Sequence, residues 1–198
     1  MIVRSRARVM LLVALLAACS TSPPSQFYTL TAASATPTNG TTAFAKTIAV
    51  GPVSLPEAVN RPQFVVRDGA NRVVVMETRR WAEPLKSGIA EAVADDLSRA
   101  LGGAQVTTMS QSAASDALVF VALDVQRFDL TLDDAAGIDV VWTIKRRGEA
   151  QTYAGRTSTR ESARSSDAPY DALVAAITRA FETVSRDVAA KLTGIPTN

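Results

Sequence analysis

Residues 117–144 read ALVFVALDVQRFDLTLDDAAGIDVVWTI, and this stretch decides the fold. Its first part, Leu118 to Leu123, is apolar at every position, the pattern of a strand covered on both faces. From Asp124 the pattern alternates, with Phe128, Leu130 and Leu132 on one side, so only one face is dry there. Asp133-Asp134-Ala135-Ala136-Gly137 reads as a turn. Ile138, Val140, Trp142 and Ile144 then alternate with Asp139, Val141, Thr143 and Lys145, the periodicity of a half-buried strand. Lys145-Arg146-Arg147-Gly148-Glu149 reads as the next turn. Thr152 to Arg164, mostly polar with Tyr153 its only aromatic residue, reads as an edge strand protected by charge.

Two helical stripes flank this meander. Pro84 opens the first, where a missing N–H costs nothing, and Leu85, Ile89, Val93, Leu97 and Leu101 recur every four residues up to Gly102-Gly103. The second follows Asp167, a candidate N-cap, and Pro169. Leu173, Ile177, Phe181, Val184, Val188 and Leu192 share one face, and Gly194 and Pro196 stop it. Neither stripe is of use to an isolated helix; each needs a sheet to lie on. Shorter strands precede them. Phe27, Tyr28 and Leu30 form the first. Ile48, Val50 and Val53 form the next, ended by Pro52 and Pro56. Gln63–Arg67 and Arg72–Glu77 form a hairpin around Asp68-Gly69-Ala70-Asn71. Gln105–Met109 is a further short strand, and residues 31–45 are a loop. The predicted fold class is α/β: a single mixed or mostly antiparallel sheet with two helices packed on one face, an α/β sandwich.

The N-terminus is a different kind of sequence. Arg4, Arg6 and Arg8 precede an uncharged run from Val9 to Ala18, closed by Cys19. A basic start and a short apolar run describe an export signal, and the run falls short of the roughly 20 residues that span a bilayer. Leu16-Ala17-Ala18-Cys19 resembles a bacterial lipobox, which implies cleavage before Cys19 and acylation of that residue. Ser20 in the next position points to the periplasmic face of the outer membrane. The expected organisation is a signal peptide over 1–18, a lipidated tether over 19–26, a domain over 27–194 and a tail over 195–198.

Composition excludes several functions. Among 198 residues there is no histidine and one cysteine, which removes His-based catalysis, His/Cys metal sites and a disulfide framework. Of 21 basic and 19 acidic residues, Arg4, Arg6 and Arg8 leave with the signal, so the mature chain carries 18 against 19 and no surplus for nucleic acid. Asp95-Asp96, adjacent on a helix, do not share a face, and Asp133-Asp134 belong to turn chemistry. No metal, cofactor or catalytic residue is expected. Lys145-Arg146-Arg147 reads as a solvated turn.

The candidate site brackets the predicted hairpin. Arg61-Pro62-Gln63 leads into it and Arg80-Trp81-Ala82-Glu83-Pro84-Leu85 leads out of it. A hairpin joins its two ends, so Arg61, Pro62, Gln63, Arg80, Trp81 and Glu83 form a candidate partner-binding patch. Trp81 is either an exposed anchor, as Trp and Arg often are at interfaces, or a cap on the core with Arg80 and Glu83 paired beside it.

At these residues the chain resembles the PqiC/YmbA-type, ABC-type transport auxiliary lipoprotein family. The resemblance starts at Cys19 and Phe27-Tyr28-Thr29-Leu30 and continues through Ile48-Ala49-Val50-Gly51-Pro52-Val53 and Leu55-Pro56. It is clearest at Asn60-Arg61-Pro62-Gln63 and Arg80-Trp81-Ala82-Glu83-Pro84-Leu85. Asn60 stands where the family usually has Asp, and Ala58-Val59 where it usually carries an aromatic residue and Leu. The resemblance implies a non-catalytic, outer-membrane-anchored subunit of an MCE-domain transport system for phospholipids or other hydrophobic molecules. It implies an MCE-domain protein as partner, in some systems with an inner-membrane ABC permease and ATPase, and in some members a homo-oligomeric ring. Two other readings of the residues stand beside it: a stand-alone periplasmic lipid carrier, which needs a closed apolar cavity, and a structural envelope lipoprotein.

Overall fold

The computed structural model describes residues 23–32, 44 and 46–195. The export signal, Cys19, most of the 31–45 loop and the last three residues lie outside the described residues.

Among the described residues, eight strands and two long helices follow one another in the expected order. They are β1 (Gln26–Tyr28), β2 (Ile48–Ser54), β3 (Gln63–Arg67), β4 (Val73–Trp81), α1 (Leu85–Ala100), β5 (Val106–Thr108), β6 (Val119–Thr131), β7 (Ala135–Arg146), β8 (Thr152–Ser162) and α2 (Pro169–Thr193). A short 3₁₀ turn, Ser112–Asp116, leads into β6. The larger sheet has the order β5-β2-β6-β7-β8, parallel between β5, β2 and β6 and antiparallel from β6 to β8. The doubly apolar start of β6 is its central strand, and charge-rich β8 is its edge.

Both helices pack on one face of this sheet, α1 over β2 and β5, α2 over β7 and β8. The predicted stripes are their buried sides: Leu85, Ile89, Val93 and Leu97 of α1, and Leu173, Ile177, Phe181, Val184, Val188 and Leu192 of α2. Under them lie Ile48, Val50, Val119, Val121, Leu123, Ile138, Val140 and Ile144. Each large side chain removed from water contributes roughly 1.5–3 kcal/mol before its entropy is subtracted.

The strands divide between two sheets where one was expected. A three-stranded sheet, β1-β4-β3, stands apart. The reason is that β2 has both edges taken, by β5 and β6, so the hairpin finds no edge there. It packs its face against β6 through aromatic rings. Phe64 is fully buried, with Trp81 at 4.2 Å, Tyr28 at 5.0 Å and Tyr170 at 6.2 Å between ring centroids. Phe128 of β6 meets Trp81 edge-on at 6.4 Å. The Arg67 Nε–H donates to Asp129 Oδ1 of β6 at 2.8 Å, and the Arg79 guanidinium lies 4.9 Å over the Tyr170 ring.

Several boundaries differ, most of all that of β4, which runs on to Trp81 where the sequence reading ended the strand at Glu77. β2 runs through Pro52 to Ser54. The proline breaks the pairing with β6 between Val50 and Val53 without ending the strand, because it lacks an N–H to donate. The first meander turn is shorter than the five residues read as a turn, since Ala135 already pairs with Thr131 and Ala136 with Leu130. Likewise β7 continues to Arg146, which is buried and donates to the Ile195 carbonyl. Asp167 does not cap α2; the N-cap is Ala168, whose N–H is taken by the Ser165 hydroxyl at 3.1 Å.

On β7 and β8 one glycine is sterically required. A Cβ at Gly155 would lie 2.1 Å from Cζ2 of Trp142, whose indole N–H donates to Thr157 Oγ1 at 3.1 Å. Thr157 in turn donates to Asp187 of α2 at 2.6 Å. Gly155→Ala therefore displaces the indole and breaks this relay. We expect a destabilisation of about 1–3 kcal/mol, read as a lower midpoint in urea at unchanged slope.

Candidate docking site

The two flanks of the hairpin meet, as the sequence predicts. The Trp81 N–H donates to the Pro62 carbonyl at 2.7 Å, and Gln63 pairs with Arg80 in the ladder. The Ala82 N–H donates to the Tyr28 carbonyl at 2.8 Å, which ties β1 to the same point. Three separate segments thus converge at one place. Between Phe64–Met76 and Gln63–Arg80 the β3–β4 register slips. The extra residues Glu77–Arg79 fall on β4, and this slip sets Arg80 and Trp81 opposite Pro62 and Gln63.

A depression of about 300 Å³ opens there. Asn60, Arg61 and Pro62 form one wall and Ala82 to Leu85 the other, with Trp81 at its base. Trp81 is 6% exposed and packed on Phe64, so its ring belongs to the core and offers only a margin to the depression. Arg61, Pro62 and Ala82 are exposed; Gln63, Arg80 and Glu83 are half-buried. Gln63 donates to Glu77 at 3.3 Å. Arg80 and Glu83 do not form the ion pair that the core-cap reading placed beside Trp81, and the Arg80 Nε–H makes no hydrogen bond.

Glu83 lies against the first turn of α1, where a Cβ at Gly88 would stand 3.2 Å from its Oε1. Burial, reinforced by the nearby Glu91 carboxylate, raises its pKa above the usual 4.5. An apolar rim of Pro62, Ala82, Pro84 and Leu85 with Arg61 at its edge suits an inserted side chain and a hydrogen-bond acceptor beside it. It holds no nucleophile–base pair.

The carboxylate pairs are taken up elsewhere. Asp95 is exposed, while Asp96 is buried and paired with Arg99 on α1. Asp134 pairs with Arg160 of β8. Asp139 on β7 pairs with Arg156, whose hydrogen bond holds its carboxyl below the usual range. Among the described residues no group of three or more His, Cys, Asp or Glu side chains is placed to hold a metal ion. No described helix is long and apolar enough to cross a membrane.

Sequence reasoning missed the aromatic setting of the site. Tyr170 and Phe128 come from distant segments and carried no pairing signal. Gly88 also escaped notice, although a glycine on the buried side of α1 is a sign of close approach.

The model of the ABC-type transport auxiliary lipoprotein component matches residues 28–189, spanning both flanks of the hairpin and both helices. The chain belongs to this family. Its members are non-catalytic auxiliary lipoproteins, and membership implies association with MCE and ABC transport machinery and an outer-membrane lipoprotein role. Two crystal structures share the fold. One, of an uncharacterized protein, has a TM-score of 0.68 at 19% identity, over 86% of this chain and 99% of the other. The second, protein XCC0632 from Xanthomonas campestris, has a TM-score of 0.66 at 19% identity, over 85% and 96%. No curated protein matches the sequence.

The buried Trp81 and the exposed Arg61 separate stability from surface chemistry in this family member. Trp81→Ala should lose about 3–5 kcal/mol of folding free energy. Arg61→Ala should stay within about 0.5 kcal/mol of the parent. Chemical denaturation of both variants measures the contrast.

Proposed function

We propose that this auxiliary lipoprotein is anchored through acylated Cys19 to the periplasmic face of the outer membrane, where it docks the far end of a periplasm-spanning MCE assembly. Its contribution to lipid transport is attachment rather than chemistry. The depression at the base of the hairpin, lined by Arg61, Pro62, Trp81 and Glu83 with the Gln63–Arg80 pair of the ladder beside it, is the docking site in this reading.

The observation that carries it is the convergence of the two family motifs on one apolar, Arg-rimmed depression held rigid by the core. A rigid base matters because immobile contacts lose little entropy on binding. The lipid-carrier reading is weaker. A larger depression, about 490 Å³ between β1 and α2, is open and is lined by Thr29, Thr31, Asp171 and Arg179 as well as apolar groups.

Co-purification tests the assignment. Full-length lipidated chain, co-expressed with the MCE-domain protein of its own envelope and solubilised in mild detergent, should retain that protein. Arg61→Glu and Ala82→Arg, both at exposed positions, should keep the parental melting temperature. They should reduce the retained MCE protein by about tenfold or more, the loss of one good contact. Undiminished retention by both variants removes the depression from the docking site.

A further inference from the structure

The short tether fixes more than attachment, because the direction of β1 tells which part of the domain meets the bilayer. β1 runs parallel to β4 with Gln26 opposite Arg79, Phe27 opposite Arg80 and Tyr28 opposite Trp81. The chain therefore enters β1 from the same end at which β4 begins, the end that carries the hairpin tip. Pro23 and Pro24 have no N–H and cannot extend the ladder down β4. The segment Val73–Thr78 is left without β1 as a neighbour.

Reach then sets the height of the tip. From Cys19 to Gln26 the chain extends at most about 25 Å. From Arg79 back to Val73, β4 descends about 20 Å. With the tether stretched along the β4 axis, the tip lies within about 5 Å of the level of Cys19, and a slacker tether in that direction closes the gap.

The tip is also built for such a contact. Val73 is 50% exposed and Val74 39%, although successive strand residues face opposite sides. Both faces of the hairpin are therefore open near its end, Val73 beside a shallow depression against β6 and Val74 on the other side. Its charges are self-neutralised, Arg72 on Asp68 at 2.6 Å and Arg67 on Asp129 at 2.8 Å. Nothing in it demands anionic lipid.

We infer that the tip of the β3–β4 hairpin rests on the bilayer as a second, apolar membrane contact beside the Cys19 anchor, fixing the tilt of the domain. The inference rests on the anchored reading proposed above. The partner is the lipid surface itself, and the contact is insensitive to salt and to headgroup charge because it is apolar.

The single native cysteine makes the test clean, since acylation consumes its thiol. Val73→Cys in the full-length lipidated chain then offers one thiol for a bimane fluorophore. Ala150→Cys is the control. It lies in the β7–β8 turn, beyond the Val119–Arg146 end of the sheet, about 30 Å along β6 from the Asp129 that holds Arg67. Both are reconstituted in vesicles of phosphatidylcholine and phosphatidylethanolamine. Bimane at position 73 should be quenched by lipid-borne nitroxide at least about threefold more than at position 150, with the reverse order for aqueous iodide. The difference should persist in high salt. Vesicle-bound protein with one label and equal quenching at the two positions overturns the hairpin contact alone. Shielding from iodide without nitroxide quenching means that a protein strand covers the open β4 edge, and also overturns it. Protein that fails to float and carries a second label on Cys19 overturns the anchored reading, and the hairpin contact with it.

Discussion

Everything peripheral to the large sheet depends on the burial of one ring, that of Phe64. It touches Tyr28 from β1, Trp81 from β4 and Tyr170 from the first turn of α2. Through Trp81 the cluster reaches Phe128 on β6. A three-stranded sheet this short has little stability of its own. The cluster supplies it, and in doing so holds the N-terminal strand, the hairpin and the start of α1 at one place. The depression beside Trp81 is the outer surface of that junction. Its geometry is inherited from core packing, which explains how exposed residues as far apart in sequence as Arg61 and Ala82 form one wall-to-wall feature.

Much of this was legible in the sequence because it follows from periodicity. The four-residue recurrence of Leu85, Ile89, Val93 and Leu97 and the alternation of Ile138, Val140, Trp142 and Ile144 give the helices and the meander directly. The juxtaposition of Arg61–Gln63 with Arg80–Trp81 followed from hairpin closure alone. The division into two sheets was not legible. It depends on β2 being paired on both edges and on contacts between Phe64, Phe128 and Tyr170, which no local pattern encodes. The role of Trp81 was equally hidden, since an aromatic residue between charged neighbours reads the same whether its ring points inward or outward. Turn lengths failed for a related reason: Ala135-Ala136-Gly137 looks like loop chemistry, yet small residues fit a strand packed closely between neighbours.

The family assignment and the geometry bear on different questions. Membership makes the chain an auxiliary lipoprotein of ABC-type transport. The geometry bears on how such a part does its work: a body with a shallow apolar recess set beside a packed aromatic cluster. On the anchored reading proposed above, a short tether keeps the recess near the membrane. A body that both sits on the membrane and offers a preorganised recess loses less freedom when a second large assembly arrives, which favours docking without a large interface.

The docking account is tested most directly by site-specific photo-crosslinking in living cells. A benzophenone amino acid placed at Arg61, on the rim of the depression, reports whatever protein lies within a few ångströms before any detergent is added. The account predicts an ultraviolet-dependent adduct with the MCE-domain protein, absent when the same amino acid stands at Ala150. Adducts at Arg61 with a second copy of this chain alone, or an MCE adduct at Ala150 and not at Arg61, would contradict it.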